Sequence, residues 1–377
     1  MLNMFFESED VLPMWIAETE FKACPELLEA LKKRADEGYF CYEDKPKGVS
    51  QSLVGWFERR HGLKMNPGYL QYTISVLAGL AALLEEFSSE NDGIIIQPPV
   101  YQAFTMILNG INRRIEHKPL KLENGRYSFD LDDLEQRLKD DLNSILLLCS
   151  PHNPVARVWT REELSQIAQL CEKHGVLIVS DEIHCDTILG DNQFISMTEV
   201  CRGLTDNLIT IGSAGKSFGI PSLSDAFIYT ENENLRQKIG ERLFRYHINK
   251  NNAFSNTAME TVYSLGDKWV DSFTTHVQNN VDLIREYLTS NNLDLKLIEP
   301  EGTYQVWLDA REHQHNDDQL HRVLVEKGKI GLARGSGYGP GGEKFFRMNI
   351  GCPQSTLSEA MDGIKRALYL NKEGAAT

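Results

Sequence analysis

Paired cysteines are missing from this 377-residue sequence: its seven Cys, at positions 24, 41, 149, 171, 185, 201 and 352, are odd in number and include no Cys-x-x-Cys. That pattern excludes a disulfide-stapled scaffold and a zinc ribbon, and leaves reduced thiols as the plain expectation. A cationic start is missing too. The first basic residue is Lys22, and Glu7, Glu9 and Asp10 come before it, so no secretory signal is indicated and the cytoplasm is the expected location. No apolar run is long enough to span a bilayer. Nor is there an excess of positive charge: 39 Lys and Arg stand against 54 Asp and Glu, a net charge of −15 that opposes binding to nucleic acid or to an anionic membrane surface. Repeats and low-complexity segments are absent. What remains is 41% apolar and 25% charged, the composition of an ordinary globular protein, with length for two or three folding units. An acidic soluble enzyme fits this description.

From about residue 70 to 230, short apolar runs alternate with longer helical patterns, the signature of a mainly parallel sheet covered by helices. Strands are predicted at Ile94 to Gln97, Ser144 to Cys149, Val176 to Ser180, Leu208 to Ile211 and Ala226 to Tyr229. Between the second and third, Thr160 and Glu163 form a capping box, Leu164, Ile167, Leu170 and Cys171 share a face, and Gly175 is the stop signal. After Asn256, the spacing of Trp269, Val270, Phe273, Val277, Val281, Ile284 and Leu288 predicts one long amphipathic helix connecting two domains. Strands at Tyr304 to Leu308, Gly331 to Ala333 and Phe345 to Ile350 and a helix from Ser355 to Leu370 complete a second α/β layer. A helix over Pro25 to Ala35, with proline at its start, is expected to join that C-terminal layer.

Three successive predicted strands end in polar residues: Ser150-Pro151-His152-Asn153-Pro154, Ser180-Asp181-Glu182-Ile183-His184 and Gly212-Ser213-Ala214-Gly215-Lys216-Ser217. Ligands of parallel α/β sheets lie outside the carboxyl ends of the strands, so these groups point to one crevice. A phosphate-loop reading of Gly215-Lys216-Ser217 needs a glycine at position 210, which is Thr, and a helix that Gly219 and Pro221 interrupt. Gly337-Tyr338-Gly339-Pro340-Gly341-Gly342 satisfies a dinucleotide-loop pattern but carries Pro340 and lacks an acidic partner, so it reads as a flexible turn. His184, Cys185 and Asp186 alternate faces on a strand, and His313 with His315 reads as a solvated loop, so no metal is expected. One chemistry uses all three strand ends. A lysine that condenses with an aldehyde cofactor and a carboxylate that keeps a pyridine nitrogen protonated are what pyridoxal phosphate requires. Lys216 would then be the general base for the substrate Cα proton, Asn153 would donate to the cofactor's phenolic oxygen, and Ser213 to its phosphate.

The order Asn-Pro, Asp-Glu-x-His, Ser-x-x-Lys resembles the fold-type I pyridoxal phosphate enzymes of the class I/II aminotransferase superfamily, and within it the cystathionine β-lyase-like carbon–sulfur lyases. Similar stretches run from Asp10-Val11-Leu12-Pro13-Met14-Trp15 to Arg347-Met348-Asn349-Ile350, nearly the whole chain. Pro-His-Asn-Pro followed by Val158-Trp159-Thr160, and His184 where most aminotransferases carry Tyr, are features of the lyase branch. The resemblance implies that Tyr101 stacks on the cofactor ring, that Asn153 and Asp181 contact it beside His184, and that Ser75, Val76 and Leu77 with Ser213 hold the phosphate. It implies that Arg347 pairs with the substrate α-carboxylate near Ala17, and that Tyr42 is lent to the phosphate by a neighbouring subunit, which makes the enzyme a homodimer.

Some positions depart from the family pattern. The stretch Thr73-Ile74-Ser75-Val76-Leu77-Ala78 has no glycine at the phosphate loop, Ala156 and Gly215 replace a usual Gly and Ser, and Ser224 stands where an arginine is common. The expectation is a three-layer α/β fold with an N-terminal arm and part of a small domain over 1–45, a large cofactor domain over 46–265, and an interdomain helix with the C-terminal small domain over 266–377. The expected activity is cleavage of an S-substituted L-cysteine, cystathionine-like or a secondary-metabolite conjugate, to thiol, pyruvate and ammonia. Transamination, a decarboxylating or aldehyde-forming reaction, and a regulatory binding role are the alternatives.

Overall fold

The computed structural model describes residues 6, 10–223, 225–249 and 252–373; Ser224 lies outside them. Seven strands form the central sheet: β1 (Leu70–Thr73), β2 (Gly93–Ile96), β3 (Arg114–His117), β4 (Asn143–Cys149), β5 (Leu177–Asp181), β6 (Leu208–Ser213) and β7 (Ala226–Tyr229), in the order β1-β7-β6-β5-β4-β2-β3. The block from β6 to β3 is parallel, and β7 runs antiparallel to both its neighbours. The inner strands β2, β4, β5 and β6 read as nearly continuous apolar runs because both faces are covered, whereas the edge strands β1 and β3 are mixed and only partly buried. Ile145, Leu147, Val179 and Ile211 enter one core, while Leu146, Leu148 and Ile178 enter the other, the two-residue alternation of a strand. Register sets Cys149 of β4 beside Asp181 of β5, and Asp181 beside Ile211 of β6, so the three polar strand ends lie side by side.

The helix Arg161–His174 between β4 and β5 has the expected capping box, and Gly175 closes it at φ 68°. A 25-residue helix, Asp267–Asn291, buries Phe273, Val277, Val281, Ile284 and Leu288 against a four-stranded antiparallel sheet. That sheet comprises β8 (Lys296–Ile298), β9 (Gln305–Asp309), β10 (Ala333–Arg334) and β11 (Phe345–Asn349), in the order β8-β9-β11-β10. The last helix, Gln354–Glu373, adds Leu357, Met361 and Ile364 to the same core. Leu12–Pro13 pairs in parallel with Ile330–Gly331, and Asn349 N–H donates to Met14 O at 2.8 Å, which stitches the start of the chain to this second layer.

Three expectations are corrected. The helix Pro25–Glu37 leaves the C-terminal layer: its buried Leu27 packs with Leu53, Trp56, Met259 and Tyr263, against the helices Lys47–His61 and Ala253–Leu265. The single strand expected at Gly331 to Ala333 is two, Ile330–Gly331 and β10, in different sheets. His313 is buried rather than solvated; its Nδ1 accepts from the backbone N–H of His315, a local turn that short-range charge patterning did not reveal. Among the described residues no helix is long and apolar enough to cross a membrane.

Candidate active site

A cavity of about 320 Å³ opens where β4, β5 and β6 end, between the large sheet and the second layer. The turn after β4 brings Asn153, β5 ends in Asp181 with His184 one turn on, and β6 ends in Ser213 and runs into the single helical turn Ala214–Ser217 that carries Lys216. Gly219, at φ 65°, ends this turn, so no phosphate-loop helix follows Lys216. From the other side come Ala17, near the chain start, and Arg347, on β11. Ser75, Val76 and Leu77 open the helix Val76–Phe87, and Tyr101 opens the helix Gln102–Gly110; both helix starts face the cavity. All the expected site residues therefore line one space, save Tyr42, which is fully exposed on the coil between the first two described helices.

The Lys216 amine donates to Ala17 O at 2.6 Å. Burial and then the Arg347 charge push its pKa down to about 8, although Glu18 and Asp181 act the other way. Burial pushes Asp181 up to about 7 against the N–H of Ile183, which it accepts at 3.1 Å, and the charge of Lys216. His184 is buried and pushed down to about 3, first by desolvation and then by Lys216 and Arg347, so its imidazole is neutral at any working pH. Its Nδ1 is buried with no hydrogen-bond partner, as is Nε of Arg347.

Arg347 is buried and donates to Asn153 Oδ1 at 3.1 Å and to Trp15 O at 2.5 Å, with the ring of Tyr338 5.2 Å from its guanidinium carbon. No carboxylate lies within 4.0 Å of it among the described residues, so this buried cation is held by neutral acceptors and is suited to an incoming anion. Because Asn153 Oδ1 faces Arg347, its Nδ2 is the amide donor left for a ligand. Ser213 Oγ accepts from Gly215 N and donates to Asp225 O at 3.0 Å, so a phosphate would have to draw that proton away.

The missing glycine at the phosphate loop has a structural answer. Ser75 is extended (φ −168°) and caps the helix by accepting from Ala78 N, and no residue of 73–78 has a positive φ, so a side chain costs nothing there. The first N–H groups of the helix remain available to an anion. Ala156, by contrast, sits at φ 57°, a left-handed position where the usual glycine would be unstrained.

Sequence reasoning missed Trp15, whose carbonyl holds Arg347, and Tyr338, whose ring lies under it. The expected turn over Gly337 to Gly342 is a turn from Pro340 to Gly341 preceded by a short 3₁₀ segment, Gly335–Tyr338, that delivers this buried tyrosine to the cavity while Val100 N–H donates to its carbonyl at 2.9 Å. One aromatic amid glycines was the available signal.

The aminotransferase class I and II family model matches residues 10–364. This chain belongs to that family. Cystathionine beta-lyase PatB of Bacillus subtilis is 35% identical to it over 96% of this chain and 94% of its own length. Protein MalY of Escherichia coli is 32% identical over 96% and 93%. Among solved structures, cystalysin from Treponema denticola, which contains a pyridoxal 5′-phosphate cofactor, superposes with a TM-score of 0.93 at 29% identity, covering 97% of this chain and 92% of its own. The family member described here is a pyridoxal phosphate-dependent enzyme with the fold-type I architecture, and its relatives place it in the carbon–sulfur lyase branch. Its cavity suits that cofactor: a lysine with a lowered pKa, a buried carboxylate on the next strand, a half-buried tyrosine and the N-terminus of the helix Val76–Phe87 converge there.

Proposed function

We propose that this chain carries out β-elimination on an S-substituted L-cysteine, releasing a thiol, pyruvate and ammonia. The observation that carries this reading is the pairing, in one cavity, of a buried guanidinium held only by neutral acceptors with the amine of Lys216: one suits the α-carboxylate of an amino acid, the other its Cα proton. The relatives named cystathionine beta-lyase, PatB among them, support scission of a Cβ–S bond as the outcome. Besides Lys216 and Arg347 no Lys or Arg of this chain lines the cavity among the described residues, so the group beyond the substrate sulfur meets mainly neutral side chains.

When bound, pyridoxal phosphate supplies an electron sink for negative charge at Cα. Asp181 would pair with its protonated ring nitrogen, an opposite charge that favours the ionised carboxylate against the burial that pushes it up to about 7. Of the residues lining the cavity, Tyr101 would cover the ring, Asn153 Nδ2 would donate to the phenolic oxygen beside His184, and the backbone at Ser75, Val76 and Leu77 with the Ser213 hydroxyl would hold the phosphate. Arg347 exchanges the Trp15 carbonyl for the substrate carboxylate, next to Ala17. Lys216, with a pKa of about 8, is matched to taking the Cα proton near neutral pH; the Cβ–S electron pair leaves with the thiolate, and the released enamine takes up water to give pyruvate and ammonia.

A homodimer in the cytoplasm completes the proposal. Tyr42 is fully exposed beside exposed Tyr39 and Phe40, and Ile74 and Leu77 are exposed where the phosphate would bind, an apolar surface suited to a second copy that lends Tyr42 to the phosphate. All seven cysteines are unpaired thiols, as a reducing compartment requires. The test offers cystathionine and simpler cysteine conjugates to the purified holoenzyme and follows free thiol, pyruvate and dependence on an added keto acid. Thiol with pyruvate and no need for keto acid is the expected result; amino-group transfer without thiol release overturns the lyase.

A further inference from the structure

One buried carboxylate near Lys216 in the fold lies outside the lining of the cavity and is not used by the chemistry above. Asp186 is buried in an apolar cluster that includes Phe57, Phe194, Phe218 and Tyr263. Its Oδ1 accepts from Trp56 Nε1 at 2.9 Å and lies 2.7 Å from His61 Nε2, and its Oδ2 accepts from the hydroxyl of Ser217 at 2.5 Å. These donors hold its carboxyl below the ordinary range even though burial pushes the other way. Cys185 Sγ lies within 4.8 Å of the His61 and Asp186 atoms, and burial pushes its thiol well above the ordinary range.

The position of this hydrogen-bonded carboxylate matters more than its strength. Ser217 is the neighbour of Lys216 on the four-residue turn that closes β6, and Asp186 closes the turn that follows Asp181 on β5. The backbone ladder between these strands ends with Glu182 N–H donating to Ile211 O at 2.8 Å. Beyond that point, among the described residues, the next hydrogen bond joining the two turns is Asp186 to Ser217. Trp56 and His61 belong to one helix, Lys47–His61, and fix the carboxylate from its other side. An apolar side chain would fill such a core at lower desolvation cost, so the charge is accounted for by what it holds in register.

We propose that Asp186 is a positioning residue: through Ser217 it sets the placement of the Lys216 amine relative to Asp181, and so the ease with which that amine captures the cofactor aldehyde. The inference rests on the pyridoxal phosphate reading of the site but not on the sulfur substrate. The step is a condensation in which Nζ bonds to the aldehyde carbon and one water leaves.

The test adds pyridoxal phosphate to the cofactor-free full-length protein and follows capture on Lys216 by borohydride trapping and mass spectrometry, with thermal unfolding as the check on folding. Ser217→Ala, which removes one small hydroxyl, is expected to stay folded and to capture about tenfold more slowly, the scale of a hydrogen bond to a charged group. Ser217→Thr keeps the hydroxyl and is expected to capture within about twofold of the wild type on the same scale. Capture by folded Ser217→Ala at the wild-type rate overturns the proposal, as does Ser217→Thr being as slow as Ser217→Ala. No capture by the wild type overturns it together with the cofactor assignment, whereas a failed lyase reading would show as normal capture without thiol release.

Discussion

At the scale of the residue, the site depends on shifted titrations that come from burial. Lys216 at about 8 is roughly a tenth neutral at pH 7, whereas an ordinary lysine is neutral in roughly 1 of 3,000 molecules. The neutral amine is the form that attacks an aldehyde, so the trapping rate of pyridoxal phosphate is expected to rise with pH and level off above about 8; a rise that continues toward 10.5 would contradict the assignment. Lys216→Ala is expected to abolish both trapping and the visible absorbance of bound cofactor. Lys216, Asp181 and Asn153 were legible because each sits in a short polar run ending a strongly apolar strand. Trp15 was not, because it acts through a backbone carbonyl that any residue type would supply, and Tyr338 was hidden by glycines that read as mobility. His61, far from Asp186 in sequence, has no local signal at all.

At the scale of the element, the helix Arg161–His174 shows why a motif's meaning depends on its surroundings. Thr160 Oγ accepts from Glu163 N–H at 3.2 Å, and the Glu163 carboxylate returns the bond to Thr160 N–H at 2.8 Å. The same carboxylate reaches the buried guanidinium of Arg157 at 2.9 Å, which also pairs with Glu301. Thr160→Ala is expected to cost about 1 kcal/mol, the value of a cap. Glu163→Gln preserves the box but weakens the neutralisation of Arg157, and is expected to cost on the order of 2 kcal/mol or more. Urea unfolding of the two variants checks the order; a larger loss from Thr160→Ala would show that the box outweighs the ion pair. The start of the helix Pro25–Glu37 was read correctly from its proline, but its partner was not, since an amphipathic face does not say which core it joins.

At the scale of the whole molecule, the second layer is built from both chain ends, and the cavity lies where it meets the large sheet. The proposed dimer adds a testable consequence. Subunits carrying Lys216→Ala mixed with subunits carrying Tyr42→Ala would form hybrids with one complete site each, so activity is expected to recover to roughly a quarter of the wild type on random exchange. No recovery, or sedimentation as a monomer, would remove Tyr42 from the neighbouring site. The sequence by itself determined the parallel core, because strands buried on both faces must be continuously apolar, and it determined the cofactor chemistry, because lysine, aspartate and asparagine at strand ends are few and specific. Only the tertiary structure decided that Arg347 meets neutral acceptors, that Asp186 ties two turns together, and that the helix Pro25–Glu37 packs with the helices Lys47–His61 and Ala253–Leu265. Those outcomes depend on contacts between residues far apart in the chain, and such contacts leave no period or spacing to read.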